Sequence, residues 1–441
     1  MNERAKTLEQ RFAAFVVPER ARRYTALTSG VVLAGYLVSI VAGPIVHGGF
    51  VDLASAIIGA DFSAFYWAGH TVLHGRPDLL YDQDAQTELT YALIAPVPGH
   101  GDVHLFVSPP YWSLFFVPFA MLPYPLAVAM LWATSACLLF AMAHVLRSEL
   151  PGLRTIGSTP RLVFLALCFF PVLFSFLNGQ TSMIVLAPIT AFFVLLRRQR
   201  DFAAGMMIGL LAVKPQLAFG AVIILVAARR WRALAGAAIT AGLWLVLGWL
   251  LMPDAMATYR VVAPELFAFL RSEDYETWGQ TSLYGLATLL IDPLSPTIGG
   301  LVGNLFVAAA AITNAALVYR TPWTPGSRRW DLAMAGSIAL GLISSPHLFL
   351  YDASLFVLPL AIVVARLDGE KEGALLDGGP VLVACALTCG ALFFGPYLTS
   401  FVQDLLVSEH LPRVALQICT LAMLLFAVRV HQRAQQEPST C

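Results

Sequence analysis

Apolar runs of about 20 residues recur from Tyr24 to Val430, separated by short polar or basic breaks. A run of that length matches roughly 30 Å of bilayer hydrocarbon at about 1.5 Å per helical residue, so the pattern predicts membrane-crossing helices. The expected spans are 24–46, 126–146, 162–177, 181–196, 202–214, 216–228, 231–252, 298–319, 332–345, 348–366, 380–396 and 411–430. This is an all-α polytopic membrane protein of about 12 spans, folded as one domain over residues 24–430. The apolar stretch Phe106–Leu122 holds Pro109, Pro110 and Pro118 and is followed by Pro123. Proline removes helix hydrogen bonds, so this stretch is expected to enter the membrane without crossing it.

Charge orients the bundle. Residues 1–23 carry six basic side chains ahead of the first span and lack a leading apolar segment, so they read as a cytoplasmic segment and not as a cleaved signal peptide. With both termini inside, residues 431–441 form a cytoplasmic tail and 22 of the 27 basic residues lie inside. The exceptions are Arg76, Lys214, Arg260, Arg271 and Arg413. The outer loops are then 47–125, with interfacial helices, and 253–297. Between Arg200 and Arg229 lie only 28 residues, about 42 Å of helix where two full crossings need about 60 Å. The pair must fold back early, at Lys214–Pro215, which leaves Lys214 near the outer membrane face.

Composition agrees: 58% of residues are hydrophobic and only 12% charged, against about 25% charged in soluble domains. Zero net charge gives no reason to expect a nucleic-acid partner. Cys137, Cys168, Cys385, Cys389 and Cys419 sit in apolar stretches and Cys441 ends the chain, so the cysteines read as small core residues. Neither a GxxxxGK[ST] loop nor a GxGxxG turn is present, so nucleotide-driven chemistry has no visible support.

Residues able to do chemistry gather on the outer side. Asp61 opens an aromatic stretch containing Phe62, Phe65, Tyr66 and Trp67, which suits a helix lying at the membrane interface. Asp61 is either the N-cap of that helix or a general base held at the lipid boundary, and the roles are compatible. The pairs His70/His74 and His100/His104 have helical metal-ligand spacing but do not name the three or four ligands that zinc needs, so no metal site is assigned. Asn178-Gly179-Gln180-Thr181-Ser182 and Gly279-Gln280-Thr281-Ser282 offer uncharged amides and hydroxyls, suited to sugar hydroxyls or to helix capping. Ser344-Ser345-Pro346-His347 is followed by Tyr351-Asp352, at bilayer depth where ionisable residues are costly. Lys214, one of three lysines, either snorkels to headgroups or binds a phosphate.

The ordered series resembles glycosyltransferase family 87, the polyprenyl-phosphate-mannose-dependent mannosyltransferases of the multispanning GT-C class. It runs Asp61-Phe62-Ser63-Ala64-Phe65-Tyr66, Leu79-Leu80-Tyr81-Asp82, Ser108-Pro109-Pro110-Tyr111 with Phe116-Val117-Pro118 and Leu122-Pro123, Asn178-Gly179-Gln180, Lys214-Pro215-Gln216 and Ser345-Pro346-His347. Gly279 departs from it, standing where an asparagine is expected.

The resemblance implies a GT-C-like bundle, an outward-facing site and a polyprenyl-phosphate-linked sugar donor. It further implies inversion at the anomeric carbon, without a nucleotide sugar, cofactor or obligatory metal. On that basis Asp61 is the general base and Lys214 and His347 bind the donor phosphate. Asn178, Gln180, Gln216, Gln280, Tyr66 and Asp352 contact the sugar or the acceptor. The acceptor is a glycan, lipid or protein, and the expected location is a bacterial inner membrane with the site facing the periplasm. The rival expectation is a transporter or flippase, which also uses many spans and broken helices.

Overall fold

The structure, a computed structural model, describes residues 19–97, 103–269, 279–367 and 410–437. The expected span 380–396 and the expectations placed on residues 1–18, His100, Arg271, Cys385, Cys389 and Cys441 lie outside these residues. All named elements among the described residues are helices, and two isolated bridges join Val51 to Ile57 and Gln280 to Phe349.

Apolar helices of several lengths make up the bundle among the described residues. Among the described residues Tyr124–Glu149, Trp231–Leu251 and Pro296–Arg320 are long and apolar enough to cross a membrane. The predicted 162–177 span is two helices, Thr159–Leu167 and Phe170–Leu177, bent by 78° at Cys168–Phe169. Pro171 in the first turn of the second piece explains the break, since it cannot continue the preceding ladder. Among the described residues three helices, or four with the bent pair taken as one span, have the length to cross, and shorter apolar helices such as Leu33–His47 and Pro215–Ala227 accompany them. Ser182–Arg197 has 16 residues, about 24 Å. Asp201–Gly209 tightens into the 3₁₀ turn Leu210–Val213 and gives way at Lys214–Pro215 to Pro215–Ala227, the short hairpin that residue counting anticipates. The stretch 106–122 does not form one span: it holds the turn Pro110–Trp112 and the eight-residue helix Ser113–Ala120. Residues 253–297, expected to be a loop, include the helices Pro253–Phe269 and Leu283–Ile291.

The aromatic helix Ala60–Leu73, expected at the membrane interface, packs its rings inside the protein. Nine of its residues, from Phe62 through Thr71, are buried. Its rings meet Ser113–Ala120 and Tyr124: Phe65 stacks on Phe116 at 4.8 Å and Phe62 on Tyr124 at 6.0 Å. A Cβ on Gly69 would lie 2.4 Å from the Phe116 carbonyl oxygen, so only glycine admits this helix-to-helix approach. Aromatic surface that would suit a headgroup layer is instead satisfied inside a second hydrophobic core, apart from the main bundle core.

The two ends of the bundle differ. Buried Asp331 receives Arg197 and Arg366, while Glu149 meets Arg197 and Arg198, and Asp201 meets Arg230. These contacts tie together the ends of Tyr124–Glu149, Ser182–Arg197 and Val357–Leu367 with the start of Arg328–Ile343. The opposite ends of the same helices carry Tyr124, Ser182, Ser344 and the 3₁₀ turn Asp352–Phe356. Cys168 and Cys419 are buried as expected, whereas Cys137 is exposed on the side of Tyr124–Glu149.

Candidate active site

At that second end, residues far apart in sequence converge. Asp61 is not the N-cap of its helix. Gly59 caps it in a left-handed conformation (φ 70°), and Asp61 sits in the first turn. Its backbone N–H donates to the Asn178 carbonyl at 3.1 Å, and its carboxylate meets His104 Nδ1 at 3.0 Å. The turn at Asn178–Gly179 is moulded to this helix start. Gly179 has φ +68°, and a Cβ there would lie 2.8 Å from Phe62 Cβ. The Tyr124 hydroxyl secures the same corner by donating to the carbonyls of Ile58 and Gly59.

Lys214 supplies the cation. It lies between two helices because Pro215 opens the second of them, and its ammonium is 3.5 Å from Asp352 Oδ1. Both side chains are largely buried, at 11% and 2% exposure, which makes Asp352 the counter-ion of Lys214. The ammonium also lies over the Tyr351 ring at 5.6 Å. Asp352 is within Coulombic range of Asp61, so the base candidate and the cation belong to one electrostatic neighbourhood.

His347 joins through its own segment. Its ring packs on Phe349 at 4.5 Å, and Phe349 stacks on Tyr351 at 5.5 Å, leading back to Lys214. This segment pairs with the second amide–hydroxyl motif: Thr281 N–H donates to Leu348, and Leu350 N–H donates to Gly279. Gln280 is buried there, and its carbonyl accepts from Gln417. Ser282 does cap the following helix, accepting from Gly285 N–H. In the first motif Gln180 is buried, its Oε1 unpartnered among the described residues. Gln216 is half-buried in the first turn after Lys214. Tyr66 differs from the rest: it is buried in the aromatic core and its hydroxyl donates to the Leu122 carbonyl.

The remaining motifs are supports. Trp67 Nε1 donates to the Leu80 carbonyl, the Tyr81 hydroxyl to Ser108, and Asp82 caps Gln83–Ile94 by accepting from Ala85 N–H. Tyr111 donates to the Ala212 carbonyl, two residues before Lys214. Burial, reinforced by Tyr259, pushes the Tyr111 phenol up to about 12, so it stays a donor. Burial raises Tyr81 still further, helped by Tyr259 and Tyr111. The His70 and His74 rings lie with centroids 4.0 Å apart, their planes tilted by 33°. Burial and then the neighbouring His74 hold His70 below its ordinary value. Among the described residues no group of three or more His, Cys, Asp or Glu is placed to hold a metal ion.

Sequence reasoning missed His104 as the partner of Asp61, because 42 intervening residues leave no spacing signal. It named Tyr351 without giving it a role, though its alternation with His347 and Phe349 was a usable clue.

The family model for glycosyltransferase family 87 matches residues 106–350, more than half of the chain. The chain belongs to glycosyltransferase family 87. Neither the curated proteins nor the solved structures returned a match. The matched region contains Asn178, Gln180, Lys214, Gln216, Gln280 and His347, while Asp61 and Asp352 flank it. Membership makes the protein a glycosyltransferase acting on a sugar donor and an acceptor, and its apolar helices make it a membrane protein. Membership also favours group transfer over the transporter or flippase expectation.

Proposed function

We propose that this family 87 glycosyltransferase moves mannose from a polyprenyl-phosphate donor to an acceptor hydroxyl on the periplasmic face of a bacterial inner membrane, inverting the anomeric carbon. Asp61 takes the proton of the incoming hydroxyl. The new bond forms from the acceptor oxygen to C1 as the C1–O bond to phosphate breaks, and that electron pair leaves with the polyprenyl phosphate. A phosphate is already a competent leaving group, so it needs a positive neighbour and hydrogen-bond donors more than a protonating acid. Lys214 and His347 fill that role, and Asn178, Gln180, Gln216 and Gln280 orient sugar or acceptor. Asp352 is better read as the group that holds Lys214 in place, and Tyr66 as a wall of the aromatic core.

The observation that carries this reading is the convergence of Asp61, Asn178, Asp352 and Lys214 through direct or electrostatic contacts across nearly 300 residues of sequence. The arginine-rich opposite end supports the outward orientation, since basic residues are retained on the cytoplasmic side. The test is transfer of label from radiolabelled polyprenyl-phosphate-mannose to membrane acceptors in proteoliposomes, with wild type against Asp61→Asn. Loss of at least about a hundredfold is expected for a missing general base. Undiminished transfer by Asp61→Asn would reject the role.

A further inference from the structure

His104 sits between Asp61 and the surroundings of the bundle end: its side chain is 35% exposed, that of Asp61 15%. Its Nδ1 lies 3.0 Å from Asp61 Oδ1, a hydrogen-bond distance for a nitrogen and a carboxylate oxygen. The approach is built in, because the backbone around His104 is gripped by one buried side chain. Gln86, 2% exposed, donates from Nε2 to the His104 carbonyl and accepts from Phe106 N–H at 3.1 Å. The helix carrying Gln86 is started by Asp82, and Phe106 is wedged between Phe65 and Tyr81. A line of contacts thus runs from the Leu79–Asp82 segment through Gln86 to His104 and ends on the carboxylate. Uncharged amides buried at that depth are costly unless fully used, and Gln86 has both ends bonded.

We infer that His104 is a positioning residue for Asp61, donating Nδ1–H to Oδ1 so that Oδ2 faces the acceptor hydroxyl, and that protonation of the imidazole switches transfer off. The inference rests on the reading of Asp61 as base. In the neutral imidazole the donated hydrogen bond fixes the carboxylate rotamer and leaves the second oxygen's lone pairs for the proton of the acceptor. In the imidazolium the full positive charge beside the carboxylate makes it a poorer base, so activity drops as pH falls. Among the described residues, further titratable groups bear on the pair. Tyr124 interacts electrostatically with Asp61, Asp352 does so while held by Lys214, and Tyr81 lies against the neighbouring Phe106.

The test measures kcat and donor KM from pH 5 to 8 for full-length wild type, His104→Ala, His104→Asn and Asp61→Asn in proteoliposomes. Radiolabelled polyprenyl-phosphate-mannose is the donor, membranes supply the acceptors, and melting temperatures establish that each variant is folded. Asparagine presents its Nδ2 donor near the position of Nδ1 but does not titrate. Wild type is expected to show an acid limb as the pH falls through the range tested. His104→Ala is expected to lose at least about tenfold in kcat with little change in KM. His104→Asn should restore most of the neutral-pH rate and move the acid limb to lower pH. A His104→Ala kcat within twofold of wild type, or an unmoved acid limb in His104→Asn, overturns the inference while leaving Asp61 untouched. Full activity in Asp61→Asn would instead remove the base assignment itself.

Discussion

The Lys214–Asp352 pair is the site contact whose energetics can be worked out most directly. At 3.5 Å and an effective dielectric of about 20, two unit charges attract by about 5 kcal/mol. Most of that offsets desolvation, since the side chains are only 11% and 2% exposed. Removing one partner strands the other as a buried charge and costs about 3 kcal/mol or more. Removing both should cost little beyond a single loss. At about 2.1 cal/mol/K of unfolding entropy per residue over 441 residues, 3 kcal/mol corresponds to a fall in Tm of about 3 °C. Lys214→Met, Asp352→Asn and the double variant are to be compared by thermal unfolding in one detergent. Each single variant is expected about 3 °C below wild type, and the double near the singles instead of about 6 °C below. Additive losses would show that the two side chains are not coupled, and Asp352 would lose its assignment as the counter-ion of Lys214.

Other changes probe the supports. Gly179→Ala forces a β-carbon against Phe62 in a left-handed backbone and is expected to cost about 1–3 kcal/mol and to depress transfer by displacing the start of the Asp61 helix, read by melting and turnover together. Tyr111→Phe removes the bond to the Ala212 carbonyl, so stability should fall by about 1 kcal/mol and donor KM should rise more than kcat falls. Asp331→Asn leaves Arg197 and Arg366 without their carboxylate at the opposite end of the bundle. It should lower Tm by as much as Asp352→Asn does, with the turnover of the folded protein unchanged.

Much of the site was legible because its chemistry is scarce in an apolar chain. A lysine in an uncharged hairpin, an aspartate heading an aromatic run and a histidine–aspartate segment at a turn each stand out against hydrocarbon-compatible neighbours, and the structure brings Asp61, Lys214 and Asp352 together. What was not legible depends on who packs against whom. The aromatic run 62–67 has the composition of an interfacial helix. Only the presence of Phe116, Phe119 and Tyr124 against it decides that it is buried. Span character has a related limit in the sequence: hydropathy cannot separate a helix that crosses from a short one sheltered by neighbours, as at Ser182–Arg197, or see the 78° bend after Leu167. Asp61 was readable as a cap because aspartates start helices, but Gly59 takes the left-handed cap position and frees the carboxylate for His104.

The most direct measurement is a structure of the protein with polyprenyl-phosphate-mannose bound. The donor phosphate is expected within about 4 Å of the Lys214 ammonium, with the anomeric carbon turned toward Asp61. A phosphate seated instead among Arg197, Arg198 and Arg366, at the far end of the bundle, would contradict the site and its outward orientation together.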